Sequence, residues 1–351
     1  GILLLGGSAS LYTLKKDSAD GRFLMWKITT KAIQKQPITG TSLGGFPAAY
    51  AETQAEYMAS GKATEQEKLV AGCPEYAFNE YLQIGLEQGL VGLALFIGWL
   101  GLLFYKGIKN KRYACCGGLM SMAIFAFSSY PLQLPEFWVV LIFLGVMSVT
   151  PDKDEIRENQ AESNGHRWGK QIFFMGIAIL GIGLFWMQKD HYKAYQQWNK
   201  AQMFYNNKAY EAALEVYEPL YPLLKHKPEF LFEAAQSLSK TGQYEKANEY
   251  LERAVLLSSD PMLYYVMAKN EQCLGEYRQA EKHLLHAIDI LPERIYPYYL
   301  LMNLYTEPSY FQPAKLKKAI DSVLTKKPKV ESSAIKEMKE KARSMLNNTS
   351  I

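Results

Sequence analysis

The sequence predicts an all-α protein in which polytopic transmembrane helices carry a large helical loop on one face and are followed by a solenoid of two-helix repeats. Three observations lead there. Apolar residues crowd into blocks between Gly89 and Met187. Lys and Arg gather in two of the short segments between those blocks. From Tyr210 onward an aromatic residue followed three positions later by alanine recurs every 33 or 34 residues. The 351 residues then divide into 1–88, the end of one transmembrane helix plus the loop; 89–150, three transmembrane helices; 151–170, a linker; 171–188, one more transmembrane helix; and 189–351, the repeats.

The chain opens on the apolar stretch Gly1–Gly7, which is expected to be the tail of a helix whose companion spans precede it. In the loop, Asp20 is placed to cap a helix running from Gly21 to about Gln36. Met25, Ile28 and Ala32 form its apolar stripe, and Arg22, Lys27, Lys31 and Lys35 stay polar. Pro37-Ile-Thr-Gly40 ends it. A second helical stretch follows Gly44-Gly45-Phe46 and runs through Tyr57, then a polar segment from Ser60 to Lys68, and finally Tyr76 to Gly89 leads into the first apolar block.

Four blocks are read as spans: Gly89–Tyr105, Tyr113–Ser129, Phe137–Val149 and Ile172–Met187. Two prolines in Tyr130–Glu136 separate the second from the third and make that pair a hairpin. Lys170 and Lys189 bracket the fourth, and their long stems extend it by snorkelling. Lys106–Arg112 is basic, as is the segment holding Lys153, Arg157, Arg167 and Lys170, so both face the cytoplasm. The same threading puts 8–88 and 190–351 on the opposite face, which in a bacterium is the periplasmic side of the inner membrane. The length of the blocks and the basic loops between them argue against buried helices of a soluble protein.

In the last segment Tyr210, Tyr244, Tyr277 and Phe311 recur at spacings of 34, 33 and 34 residues, with Ala213, Ala247, Ala280 and Ala314 three positions after each. This is the period of TPR-like helical hairpins. Gly242 and Gly275 supply turns, Pro228, Pro261, Pro292 and Pro328 fall near unit ends, and the Lys-rich stretch Ser332–Asn347 reads as a capping helix. Such arrays bury a face only by stacking, and the concave surface they create binds a protein or peptide partner more often than it merely fills space.

A formal net charge of +4 with Lys and Arg dispersed along the chain excludes a nucleic-acid partner. Cys73, Cys115, Cys116 and Cys273 form no CxxC pair. His226, His283 and His286 have no matching acidic or cysteine cluster in sequence and read as helix-surface residues, so neither a metal nor a cofactor is expected. No phosphate-binding glycine loop or nucleophile elbow occurs, which leaves a soluble-enzyme reading without support.

Two stretches resemble the bacterial O-antigen ligases and the related O-antigen polymerases and protein O-oligosaccharyltransferases. Arg22-Phe-Leu-Met-Trp26, followed by Pro37-Ile-Thr-Gly40 and Phe46, is similar to the family's arginine and tryptophan and its later proline, glycine and phenylalanine. Asn79, Gly89 and Gly92 match the second motif, which in the family begins with a histidine; here that position is Phe78, and 1–151 contains no histidine. Ser42 also stands where the family often has glycine. The resemblance implies a multi-pass membrane glycosyltransferase that moves a glycan from undecaprenyl diphosphate to a hydroxyl acceptor, which is lipid A core, a growing polysaccharide or a protein.

A diphosphate is a good leaving group, so the chemistry needs mainly cations that bind it and a positioned acceptor. A general base contributes a lesser factor, roughly a hundred to ten thousand. Arg22 is the candidate diphosphate ligand because guanidinium offers a planar fork matched to phosphate oxygens; on periodicity alone it is a solvated helix residue. Lys15, Lys16 and Lys27 are candidate assistants, and Trp26 is either a sugar-binding or an interfacial residue. Asn79 either bonds acceptor or glycan, or caps a helix. Glu80 and Glu75 are the candidates to replace the histidine, and Glu87 lies on one helical face with Glu80. Gly85, Gly89 and Gly92 are also explained by close helix packing alone. The competing reading is a non-catalytic, membrane-anchored TPR scaffold whose ligase-like loop has lost its chemistry with the histidine.

Overall fold

In the computed structural model, residues 2–151, 167–328 and 330–348 are described, with side chains for 18–151, 174–328 and 330–347. The greater part of the linker expected at 151–170 lies outside these. The described residues contain helices and no strand. In order they are α1 (Ile2–Lys35), α2 (Phe46–Ala59), α3 (Glu65–Val70), α4 (Glu80–Glu87), α5 (Gly89–Lys109), α6 (Tyr113–Ser128), α7 (Pro135–Val149), α8 (Arg167–Met187), α9 (Lys189–Asn206), α10 (Tyr210–Leu224), α11 (Pro228–Lys240), α12 (Tyr244–Val255), α13 (Met262–Leu274), α14 (Tyr277–Ile290), α15 (Ile295–Leu304), α16 (Pro313–Thr325) and α17 (Ser333–Asn348). They form two compact units: Gly1–Lys35 with Leu43–Glu75 and Lys200–Ile351, and Gln36–Ser42 with Tyr76–Asn199.

The first unit joins the loop to the repeats. α1 is one continuous helix, so Asp20 sits inside it and accepts a hydrogen bond from Gln66 (3.2 Å) instead of capping a new helix. Nothing between Gly7 and Gly21 interrupts it, because that stretch contains no proline and its residues are compatible with helix. Its buried stripe is Leu24, Ile28, Thr29 and Ala32; Met25 is only half-buried. Thr29 satisfies its hydroxyl on the carbonyl of Met25 one turn back. α2 begins with proline at its second position and buries Phe46, Tyr50, Ala51, Ala55 and Met58, packing against α1 on one side and α14 on the other.

The TPR-like pattern is realised as antiparallel hairpins. Tyr210, Tyr244 and Tyr277 each start a helix, and Ala213, Ala247 and Ala280 are completely buried, which lets the paired helices approach closely. Gly242 and Gly275 adopt φ of +81° and +79° in the turns, a left-handed geometry that glycine takes without strain. The fourth period slips. Phe311 and Ala314 are exposed, the helix starts at Pro313, and Leu316 takes the buried position three residues on. A short 3-10 turn at Pro308–Tyr310 shifts the register, and Tyr310 stacks on Tyr277 at 5.6 Å. α17 closes the array with Ala342 buried and Ile335, Met338 and Met345 packed on the core.

In the second unit α5, α6 and α7 pack around Leu103, Leu119 and Leu141. Glycines allow the close contacts: a Cβ on Gly107 would stand 2.6 Å from Cys116 Sγ, and one on Gly118 3.0 Å from Leu144. Outward these helices present Leu95, Leu102, Ile124, Val139 and Phe143, each more than half exposed. Among the described residues α5 is the one helix long and apolar enough to cross a membrane; α6 and α7 are shorter apolar helices. The four-span count of the sequence reading therefore goes beyond what helix length establishes.

Candidate functional site

The motif residues fall into two sets, one in each unit. In the second unit Pro37–Gly40 lies against the junction of α4 and α5, where Gly40 and Gly89, both at φ +69°, meet backbone to backbone. A Cβ on Gly40 would lie 2.5 Å from the Glu87 carbonyl, and one on Gly89 2.0 Å from the Ile38 oxygen. Thr41 and Ser42 donate backbone N–H to the carbonyls of Leu86 (2.9 Å) and Glu87 (3.0 Å), and Leu90 donates to Pro37 (2.8 Å). These satisfy helix-end groups at the break between α4 and α5 that would otherwise lack partners. Two motifs about fifty residues apart in sequence thus form one closure. Gly89 serves this closure, a close approach of backbone to backbone, in addition to any packing between helices. The signal that could have paired them was a Pro-x-x-Gly followed by an isolated glycine at a helix start.

Asn79 is buried and caps α4, its side-chain oxygen accepting from the Leu82 N–H at 3.0 Å. Phe78, at the histidine position, adopts φ +50° and packs edge-on against Tyr130 at 4.8 Å, with Tyr76 stacked on the same ring at 5.2 Å. Glu80 is 1% exposed. Its carboxylate accepts the Leu132 N–H at 2.6 Å and the Gln133 amide at 3.4 Å, and so holds the 3-10 turn between α6 and α7 onto α4. Burial raises its pKa, the two hydrogen-bond donors lower it by less, and the Glu87 charge adds to the rise. Glu87 accepts from Gln83 (2.7 Å), whose oxygen takes the Ala77 N–H (2.8 Å), so this polar cluster is internally bonded.

In the first unit Arg22 lies exposed on α1, one turn before Trp26, which is half-buried with its ring edge-on to Phe23 at 6.1 Å. Lys27 is committed: its ammonium donates to Glu67 (2.7 Å) and to Tyr57 (2.6 Å), tying α1 to α3, and the Glu67 hydrogen bond raises its pKa. Partial burial pushes the Glu67 carboxyl up, but bonds from Lys27, the Thr64 N–H and Tyr57 outweigh it and bring it down to about 2. Thr64 and Glu67 form a reciprocal capping box at the start of α3. Glu75 is exposed on the wall of a cleft that Phe232, Tyr265 and Arg294 also line. Lys15 and Lys16 lie on α1, and their side chains fall outside the described residues.

His283 and His286 are not plain surface residues. His283 bonds the buried Glu271 at 2.9 Å, and His286 faces Glu52 of α2 at 3.4 Å, with Tyr264 packed against both rings. Sequence distance hid these partners.

Solved structures similar to the chain include the MamA protein (17% identity, 44% of this chain and 88% of that one, TM-score 0.36) and MamA residues 41-end from Desulfovibrio magneticus RS-1 (19%, 45% and 98%, 0.36). Another is a Podosopora anserina putative kinesin light chain with nearly identical TPR-like repeats (17%, 45% and 88%, 0.35). No curated protein matches the sequence. Residues 206–287, inside the helical array, match the family described as anaphase-promoting complex, cyclosome, subunit 3. Residues 3–97, which hold Arg22, Trp26, the Gly40–Gly89 closure, Asn79 and Glu80, match the family described as O-antigen ligase.

Proposed function

We propose that the chain is a membrane glycosyltransferase of the O-antigen ligase type, which transfers a glycan from undecaprenyl diphosphate to a hydroxyl acceptor on the periplasmic face of a bacterial inner membrane. The observation that carries this reading is that the ligase-like match covers 3–97 and that, within it, the family-like residues Pro37, Gly40 and Gly89 build one locally closed structure at the end of the helix that Asn79 caps. The apolar outward face of α5–α7 supports a multi-pass placement with the basic segments cytoplasmic.

In this reading the acceptor oxygen bonds to the anomeric carbon as the bond from that carbon to the diphosphate oxygen breaks, and the diphosphate leaves with the electron pair. Arg22, exposed and permanently charged, binds the departing diphosphate. Lys27 acts on α1 through Glu67 and not as a free cation. Glu80, with both oxygens turned to the Leu132–Gln133 turn, is a positioning residue and not the proton acceptor; the acceptor's proton passes to water or to Glu75. The array is the arm that engages a protein acceptor or partner.

The test is glycan transfer from an undecaprenyl-diphosphate-linked donor in proteoliposomes. Wild-type transfer that is lost by at least a hundredfold in Arg22→Ala supports the enzyme, by the size of a transition-state charge contact. Wild type that is inert with donor and acceptor present leaves the scaffold reading, which the Phe78 substitution of the family histidine favours.

A further inference from the structure

A cleft of about 760 Å³ opens in the first unit between the array and the segment Cys73–Glu75, a volume in the range of ligand-sized sites. Its apolar lining includes Met262, Leu291 and the rings of Phe232, Tyr265 and Tyr296, one ring from each of α11, α13 and α15. Its exposed acidic lining is Glu75, Glu229 and Asp260, against a single exposed guanidinium, Arg294. Glu233 also lines it but is held by Tyr217 (3.0 Å) and Gln202 (2.9 Å), whereas Glu75 and Glu229 are exposed and Asp260, one oxygen of which accepts the Met262 N–H (2.9 Å), offers its other oxygen to a ligand.

The wall at 73–75 is fixed before anything binds. Gln54 is completely buried and donates from one amide nitrogen to the carbonyls of Gly72 (3.0 Å) and Ile290 (2.8 Å), while its oxygen takes the Tyr50 hydroxyl (2.7 Å). Ser259 donates to the Pro74 carbonyl at 3.2 Å. A preformed wall avoids the ordering cost that weakens binding by flexible loops.

We infer that this cleft docks an extended, basic peptide segment of a partner protein, with apolar residues seated on the three rings and lysine or arginine side chains on Glu75, Glu229 and Asp260. An extended chain sends alternate side chains to opposite sides, so an alternating apolar and basic segment can offer one set to the rings and the other to the carboxylates. An acidic segment would meet like charges there. The inference rests on the reading of the array as a partner-binding arm; Glu75 is the one cleft residue it shares with the glycan-transfer reading, and the variants that test it leave Glu75 in place.

The experiment is fluorescence anisotropy on the full chain in neutral phosphatidylcholine nanodiscs, with a fluorescein-labelled peptide of alternating lysine and leucine interrupted by proline, and its glutamate–leucine counterpart. The lysine peptide is expected to bind and to weaken with salt, and the glutamate peptide to fail. Glu229→Lys with Asp260→Lys should weaken the lysine peptide by about tenfold or more, as expected for two lost exposed ion pairs turned repulsive, and Arg294→Ala should strengthen it. All three substituted residues are exposed, and an unchanged circular dichroism spectrum checks the fold. Equal binding of the two peptides, or an affinity unmoved by the double charge reversal, overturns the inference. Transfer assayed on the same samples separates the readings: peptide binding without transfer overturns the enzyme and keeps the cleft.

Discussion

At the scale of single residues, two buried or half-buried carboxylates titrate in opposite directions, and each makes a prediction. Glu67 is held at about 2 in the fold against an ordinary 4.5, so it stabilises the α1–α3 contact fully above pH 4.5 and loses that contribution as pH falls toward 2. Glu80 is raised, so its ionisation opposes folding: its contribution is best below 4.5 and declines as pH rises through the folded value. Glu80→Gln should remove that slope and keep an acceptor for the Leu132 N–H, whereas Glu80→Ala should cost about 1–3 kcal/mol by orphaning it. Urea midpoints followed across pH for the three proteins check this, and a Glu80→Ala protein as stable as Glu80→Gln would refute the role given to the turn. Asn79 and Glu80 were legible as polar residues opening a helix. Their meaning was not, because the Leu132 partner lies 52 positions away. Phe78 sits at φ +50°, a region where histidine is enriched among residues with side chains, so Phe78→His should fold within about 1 kcal/mol of wild type by thermal denaturation.

At the scale of elements, regular periods were readable and irregular joins were not. The helices of the first three repeats start where the tyrosine and alanine period puts them, since a fully buried alanine is a local packing requirement repeated in each unit. The fourth unit departs because the inserted 3-10 turn moves the register, and nothing in a period records an insertion that leaves a phenylalanine and an alanine at the old spacing. The continuity of α1 was missed for a related reason: Asp20 has capping chemistry, but a cap forms only where the preceding chain leaves the helix. The closure of Pro37–Gly40 on Gly89 gives the strongest element-level prediction. Gly89→Ala places a methyl 2.0 Å from the Ile38 oxygen at a φ that disfavours any side chain, and should cost about 3 kcal/mol, as should Gly40→Ala. Gly98→Ala, with open space around its Cβ site, is the control. Thermal unfolding in one detergent compares all three, and equal midpoints would show that the close approach is not kept in solution.

At the scale of the whole molecule, the sequence reads as consecutive segments, yet the segment Leu43–Glu75 belongs with Lys200–Ile351 in one compact unit. No local pattern could announce this, because the joining contact is a buried amide reaching a carbonyl 236 positions away, from Gln54 to Ile290. The physical consequence is that α2 depends on α14 for one of its two packing partners and for one of the two carbonyls its glutamine satisfies. Gln54→Leu keeps the approximate volume but leaves the Gly72 and Ile290 carbonyls and the Tyr50 hydroxyl without that partner, a loss of about 1–3 kcal/mol for each group that water cannot reach. Ending the chain after Asn199 removes α14 altogether and bares the α2 surface packed against it, Gln54 included. Hydrogen exchange should therefore show protection of the Tyr50–Met58 amides reduced in Gln54→Leu and lost in the truncated chain, while α5 amides from Leu95 to Leu103, whose packing partners α6 and α7 are both retained, stay protected in each. Undiminished protection of α2 after truncation would mean that the ligase-like loop holds its own fold and that the array is an appended domain rather than the support on which that loop is built.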